Sequence, residues 1–235
     1  MIQQKALGAF AQGELARRAL RAMGVAEEKT ADLFYALAPL EPAPPLEKIK
    51  TFARGRKVFV SLAALCPRKG IDTLLKAFAK LKANDWCLVL CGLDRANGCY
   101  QNMAAALGVS DDVLFMGTHP SDQVAEVYAA ADVFVLASRF DGWGAVLNEA
   151  ASLGLPIIST DLTGAAWHIL DDGQTGWRVK AGSVPELNAA MAKYASSDAL
   201  RRDHGAAAKS RFAELFTPEK NAERLVAALR KWGVA

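Results

Sequence analysis

The sequence has few of the features that direct a protein to a membrane or to nucleic acid. It contains no run of 18 apolar residues and no hydrophobic leader at its start, so we expect neither a transmembrane helix nor export. The expected location is therefore the cytoplasm, with the inner membrane face as an alternative. The net charge of +3 is too small to indicate nucleic acid or an anionic lipid surface as a partner.

Cysteine and histidine are scarce and scattered. The chain has three histidines, and its four cysteines form no C-x-x-C pair, so the usual spacing of metal ligands is missing and no metal site is predicted. We expect four reduced thiols, at Cys66, Cys87, Cys91 and Cys99. No G-x-G-x-x-G follows the first predicted strand, which argues against a dinucleotide-dependent dehydrogenase.

What the sequence does contain is an alternation of short apolar runs with amphipathic helical patterns. The runs predict strands at 57–63, 86–91, 113–117, 132–138, 155–160 and 176–180. Between them, apolar residues recur at helical spacing, as at Ile71, Leu74 and Phe78, and another helix is predicted from about Trp143 to Leu153. This alternation predicts an α/β fold with a doubly wound, Rossmann-like parallel sheet that helices cover on both faces.

The two ends of the chain lie outside this alternation. We predict three parts: a helix, a possible strand and a proline-rich linker over 1–45, a Rossmann-like domain over 46–216, and a C-terminal crossing helix over 217–235. The possible strand is 32–38 and the stiff linker is 39–45. The first helix is amphipathic and basic; it could touch a membrane surface, but we expect it to pack on the core.

One short segment combines two glycines with two carboxylates. Asp141, Gly142, Trp143 and Gly144 lie between a predicted strand and a predicted helix, and Glu149 follows within that helix. Glycines let a backbone approach a ligand closely, and free N–H groups at a helix start favour a phosphate. At about 1.5 Å rise per residue, Glu149 lies further along the same helix. The first carboxylate can accept hydrogen bonds from sugar hydroxyls and the second from ribose hydroxyls.

This segment should not act alone, because ligands of open α/β sheets bind beyond the carboxyl ends of the strands. Five predicted loops follow strand ends and should share one rim: 64–70, 92–99, 117–120, 138–144 and 160–166. The sequence therefore predicts one ligand site built from several loops.

The segment SRFDGWGAVLNEA, residues 138–150, resembles the signature of family 4 retaining glycosyltransferases with the GT-B fold. Lys69-Gly70 is similar to the Lys-Gly element of that family. Further landmarks follow in the family's order over about residues 56–180: Leu90–Gly92, Phe115–Gly117, 129–138, Ile157–Asp161, Gly164 and Asp172–Gly176. The resemblance implies the C-terminal, nucleotide-sugar-binding half of a GT-B enzyme, with the N-terminal acceptor domain largely absent.

The resemblance also implies roles for individual residues. It assigns catalytic roles to Lys69, Asp141 and Glu149, with Lys69 on the donor diphosphate. It implies donor contacts for Arg68, Gly70, Gly92, Thr118, His119, Gly142, Trp143 and Gly144. The implied substrate is a UDP- or GDP-sugar, without a cofactor or a required metal. Transfer in the family is described as a front-face substitution in which the leaving diphosphate assists deprotonation of the acceptor.

Simpler interpretations of these residues remain open. Lys69 could be a solvated lysine, Asp141 a helix N-cap and Glu149 part of a solvated helix face. We expect Trp143 to pack in the core and to contribute through its backbone N–H, and His119 to be a loop histidine.

The sequence also departs from the family pattern. An arginine is usual six residues before Gly70, where Ala63 and Ala64 occupy the neighbourhood. A methyl group cannot replace a bidentate arginine on a diphosphate, although Arg68 could reach the same oxygens. Asp141 replaces the usual glutamate, and the acid that the family often has near His168 is missing.

We therefore predict the donor-binding domain of a retaining glycosyltransferase, which transfers a hexose-type sugar and requires an acceptor domain or a partner chain. A homo-oligomer would be another source of the missing groups. The alternative is a nucleotide-sugar-binding or scaffold module that has lost transfer activity. A different GT-B chemistry, such as nucleotide-sugar epimerisation, fits less well because its landmarks occur in another order.

Overall fold

The computed structural model describes residues 6–234; residues 1–5 of the predicted first part and residue 235 lie outside this range. The strands are β1 (Ala9–Ala11), β2 (Thr30–Asp32), β3 (Lys57–Leu62), β4 (Trp86–Cys91), β5 (Val113–Gly117), β6 (Val133–Leu136), β7 (Ile157–Thr160) and β8 (Gly176–Val179). The α-helices are α1 (Glu14–Ala22), α2 (Glu47–Ala53), α3 (Ile71–Leu81), α4 (Cys99–Ala106), α5 (Val124–Ala129), α6 (Val146–Ser152), α7 (Ala166–Ile169), α8 (Val184–Ala195), α9 (Asp198–Leu215) and α10 (Pro218–Lys231).

The six strands β3–β8 form one sheet in the order β5-β4-β3-β6-β7-β8, and every neighbouring pair is parallel. The chain passes from the centre to one edge, returns to the centre and then passes to the other edge, so the sheet is doubly wound. All six residues of β4 are buried, because helices cover both faces of a central parallel strand. The predicted fold class is confirmed, and each predicted strand of this sheet overlaps an observed one.

Helices form a layer on each face of the sheet, and each layer has its own apolar core. One core includes side chains from α2, α5, α6 and α9, such as Ile49, Tyr128, Leu147 and Phe212. The other includes side chains from α3, α4 and α8, such as Leu74, Tyr100 and Met191. A ligand site of such a sheet lies at the carboxyl ends of the strands, between these two layers.

Local sequence fixes where the last three helices begin. Ser183, Ser197 and Thr217 each accept a hydrogen bond from the backbone N–H three residues ahead. The helix predicted within 217–235 is observed as α10, Pro218–Lys231. On this helix Ala228 is buried and Leu225 is exposed.

The first part of the chain differs from its prediction. No residue of α1 is fully buried, so the expected core packing is wrong. The predicted strand at 32–38 is also wrong, since β2 ends at Asp32. The reason is that the backbone of Phe34 binds a side chain instead of a strand: its N–H donates to Oδ1 of Asn221 (3.0 Å) and its carbonyl accepts from Nδ2 (2.8 Å).

Residues 39–45 have no regular secondary structure and run beside the main domain. At the two ends of this stretch, the N–H of Leu40 donates to Oγ of Ser152 (3.3 Å), and the N–H of Leu46 donates to the carbonyl of Glu126 (3.0 Å). Across residues 6–234, no helix has both the length and the hydropathy that a bilayer crossing requires.

Candidate functional site

The loops that follow β3, β4, β5, β6 and β7 lie together at one edge of the sheet. Four backbone hydrogen bonds of 2.8–2.9 Å connect them: Leu65 N–H to Leu93 O, Gly92 N–H to Gly117 O, Arg139 N–H to Arg68 O, and Asp141 N–H to Leu162 O. The common rim predicted from the sequence is therefore present.

Lys69 and Asp141 form an ion pair across this rim, between Nζ and Oδ2. Their side chains are 14% and 15% exposed, so both charges are largely withdrawn from solvent. Lys69 is consequently not a solvated lysine. Nor is Asp141 a helix cap, because α6 begins five residues later and has no side-chain cap.

Two glycines of the site are required by the fold itself. Gly70 has φ of +65°, and a Cβ there would overlap the carbonyl oxygen of Ala137. Gly144 has φ of +85°, and a Cβ there would lie 2.7 Å from the Thr163 methyl group. Gly142 differs, since a Cβ there would point into open space. Packing within the chain therefore does not require glycine at position 142.

The backbone from Gly142 to Val146 presents a row of free N–H groups. Along residues 6–234, these five groups donate to no protein acceptor. The helix that follows begins at Val146, so its predicted start at Trp143 was three residues early. The left-handed backbone at Gly144 explains the difference, because it cannot belong to a right-handed helix.

Glu149 lines a pocket of about 270 Å³ at the ends of β3, β4 and β5. The other lining residues are Leu62, Ala63, Ala64, Cys91, Gly92, Thr118, His119, Ser121, Val124 and Val146. The carboxylate oxygen Oε2 of Glu149 accepts a hydrogen bond of 2.7 Å from the Tyr128 hydroxyl. Glu149 is therefore not on a solvated face, and the fold brings it together with Gly92, Thr118 and His119.

Trp143 is a packing residue, as the sequence suggested. Its ring is buried and lies 5.5 Å from that of Phe34 and 6.0 Å from that of His168, measured between ring centroids. His168 in turn accepts a hydrogen bond of 3.0 Å at Nε2 from the backbone N–H of Glu14. Burial lowers the pKa of His168. This aromatic cluster holds the first part of the chain against the rim.

Arg68 and the adjacent rim arginine Arg139 are both engaged by the protein. Arg68 is exposed and donates to the carbonyl of Phe140 (3.1 Å). Arg139, which sequence reasoning missed, donates two hydrogen bonds of 2.7 Å to the Asp72 carboxylate and one of 2.7 Å to the Pro67 carbonyl. Its guanidinium holds the pKa of Asp72 below the usual value. Arg139 thus connects the Lys69 loop to the Asp141 loop. No local spacing rule indicates this contact, because its partners are distant in sequence.

These features can be set beside known proteins. Residues 44–211 match the family described as glycosyl transferases group 1. The chain belongs to this family.

Relatives of this group 1 glycosyl transferase chain are about 30% identical to it over the aligned residues. A GDP-mannose-dependent alpha-(1-6)-phosphatidylinositol monomannoside mannosyltransferase of Mycolicibacterium smegmatis is 33% identical over 145 residues, covering 58% of this chain and 38% of that protein. The N-acetyl-alpha-D-glucosaminyl L-malate synthase of Bacillus anthracis is 28% identical over 177 residues, covering 74% of this chain and 45% of that protein. The chain thus spans about two fifths of the length of these relatives.

Solved structures of the same fold are similar over nearly the whole chain. The structure of Anabaena Alr3699/HepE in complex with UDP and glucose has a TM-score of 0.82 at 19% identity, covering 97% of this chain and 64% of that one. Sucrose-phosphate synthase from Thermosynechococcus elongatus has a TM-score of 0.81 at 23% identity, covering 98% of this chain and 59% of that one. At these identities the likeness establishes the fold, that of the Rossmann-like C-terminal domain of GT-B glycosyltransferases.

Proposed function

We propose that this chain is the donor-binding domain of a retaining glycosyltransferase, which holds a nucleoside-diphosphate sugar for transfer of a hexose-type sugar to an acceptor. The observation that carries the proposal is the placement of the Lys69–Asp141 pair and the Glu149 pocket on one rim. The free N–H groups of Gly142–Val146 connect the two along the chain. The Lys69 cation and the row of N–H donors suit a diphosphate, and the Glu149 carboxylate in its pocket suits a ribose.

The diphosphate would bind Lys69 and the free N–H groups, because charge-assisted hydrogen bonds to an oxyanion are strong. The same groups would stabilise the charge that develops on the leaving diphosphate during transfer. Asp141 would then accept hydrogen bonds from hydroxyls of the donor sugar. Arg68, Gly70 and Gly142 border this end of the site, and the reaction needs no cofactor besides the nucleotide sugar.

The nucleoside would occupy the pocket, with its ribose hydroxyls on Glu149. Gly92, Thr118 and His119 would border the base. His119 supports this orientation, because its Nε2 is buried and has no hydrogen-bond partner among residues 6–234. The M. smegmatis relative is named for GDP-mannose and the Anabaena structure contains UDP, so both nucleotides are candidates.

The acceptor site would come from another domain, on the same longer chain, on a partner chain or in a second copy. The proposed division has residues 1–45 leading into a donor domain at 46–216, with residues 217–235 crossing back. A second candidate function is a module that binds nucleotide sugars without transfer. Ala63 and Ala64 favour it, because they leave only small apolar side chains where a second cation would meet the diphosphate.

Calorimetric titration with UDP, GDP and their sugars tests the binding site. We expect one nucleotide to bind, and Glu149→Ala to weaken it by about 1–3 kcal/mol through loss of charged hydrogen bonds. Glu126→Ala is the matched control, since Glu126 lies on the neighbouring helix and does not line the pocket. Absence of binding of either nucleotide at millimolar concentration would refute the donor site.

A transfer assay separates the two candidate functions. The chain, alone and joined to an acceptor domain of a relative, is incubated with the nucleotide sugar that it binds and with that relative's acceptor, and both the glycosylated acceptor and the released nucleoside diphosphate are measured. Turnover in the joined protein supports the enzyme. Binding without turnover in either form supports the non-catalytic module.

A further inference from the structure

Tyr128 and Glu149 connect the apolar core to the proposed nucleotide pocket. Tyr128 lies on α5 and is 1% exposed, and its ring packs against Phe134 with centroids 5.7 Å apart. Its hydroxyl lies 2.7 Å from Oε2 of Glu149, which is on α6. Because the core fixes the ring, the hydroxyl is a rigid anchor for a side chain that lines the pocket.

The direction of this hydrogen bond is defined by its surroundings. Burial, and after it the Glu149 carboxylate, raise the pKa of Tyr128 well above its usual value, so the hydroxyl keeps its proton and donates. The only other acceptor that it meets in the described chain is the Val146 carbonyl, at the longer distance of 3.4 Å. Within residues 6–234, Glu149 uses only Oε2 in side-chain hydrogen bonds, so Oε1 is left for a ligand.

We propose that Tyr128 is a positioning residue for donor recognition: it anchors one carboxylate oxygen of Glu149, so that the other faces the pocket and accepts hydrogen bonds from the ribose hydroxyls. This inference rests on the proposed function. A free glutamate side chain loses rotamer freedom when it binds a ligand. Tyr128 removes part of that freedom before the ligand arrives, which strengthens the contact with the ribose.

Tyr194 provides a matched control. It is also fully buried, and its hydroxyl makes one hydrogen bond of 2.9 Å, to Nδ1 of His204. It lies on α8, which packs on the other face of the sheet. Tyr194→Phe therefore removes a comparable buried hydroxyl and its hydrogen bond, but this hydroxyl has no link to Glu149.

The test measures discrimination for ribose rather than affinity alone. Wild type, Tyr128→Phe and Tyr194→Phe are titrated with UDP and GDP, and then with the 2′,3′-dideoxyribose counterpart of whichever one binds. The readout is the ratio of the two dissociation constants, which a general loss of stability does not change. Thermal unfolding of each variant confirms that it folds.

In wild type we expect the dideoxy nucleotide to bind about 10- to 100-fold more weakly. Tyr128→Phe should reduce this ratio by about three- to tenfold, and Tyr194→Phe should leave it unchanged. In a Glu149→Ala background, Tyr128→Phe should have no further effect on the ratio, because the side chain that it positions is gone. An unchanged ratio in Tyr128→Phe, with nucleotide still bound, would overturn this inference alone. Absence of nucleotide binding by wild type would overturn the proposed function and this inference with it.

Discussion

Lys69 and Asp141 form an ion pair at the rim of the sheet although they lie 72 residues apart in the sequence. Each charge is neutralised by the other, because an unpaired charge on a largely buried side chain is costly. A bound diphosphate would bring negative charge to Lys69 and release Asp141 to accept from sugar hydroxyls. The pair therefore holds both groups in place for the proposed donor.

Lys69→Met should weaken binding of the nucleoside diphosphate by about 1–3 kcal/mol, because a charged hydrogen bond to the phosphates is lost. Calorimetry measures the change. Lys76→Met is the control, because Lys76 lies on α3, which follows Lys69 directly, and its side chain faces solvent. Its Nζ is 4.0 Å from Oδ2 of Asp72. An equal loss in both variants would show that net charge, and not the position of Lys69, governs binding.

Ala64→Arg should strengthen binding of the nucleoside diphosphate by about 1–2 kcal/mol, because it restores a guanidinium six residues before Gly70, where the family pattern has an arginine on the diphosphate. Ala64 lines the pocket and is partly exposed, so the longer side chain has a route to solvent. Ala64→Gln separates the effect of charge from that of size. The prediction fails if Arg and Gln change the dissociation constant equally.

His119→Ala should change the preference between UDP and GDP more than the affinity for the diphosphate. The reason is that His119 lines the proposed nucleoside pocket, and its buried Nε2 has no hydrogen-bond partner in the described part of the chain. A shift of about 1 kcal/mol in the difference between the two binding free energies is expected. Inorganic pyrophosphate is the control ligand, and a matching loss of pyrophosphate binding would contradict the assignment.

The His168 contact should make folding stability depend on pH. Burial lowers the pKa of this imidazole in the folded chain, so folding favours its neutral form. Its contribution to stability is therefore complete above the unfolded value of about 6.5 and is lost as the pH falls from there through the lowered folded value.

Urea unfolding of wild type and His168→Gln between pH 8 and pH 5 measures this dependence. The difference in free energy of unfolding should be constant above about pH 7 and should shift against wild type below about pH 6.5. His204, whose pKa burial also lowers, is present in both proteins and cancels. A difference that does not vary with pH would show that the Glu14–His168 contact is not coupled to protonation.

The sequence by itself determined the architecture. Apolar runs of five to seven residues, separated by amphipathic helices, are typical of a parallel sheet with two covered faces, and the observed strands agree. It also determined several helix starts, because a serine or threonine cap acts on residues within one turn. The common rim followed from the same alternation, since parallel strands bring their carboxyl ends to one edge.

Tertiary structure alone decided the partners of the site residues. The pairing of Lys69 with Asp141, of Tyr128 with Glu149 and of Arg139 with Asp72 depends on which strand ends are neighbours, and residues 21 to 72 apart have no spacing rule. The same limit explains why the strand predicted at 32–38 is wrong: the side chain of Asn221, which is distant in sequence, binds the backbone of Phe34. Periodicity reports which side of an element is buried, whereas the packing of distant elements decides what each polar group meets.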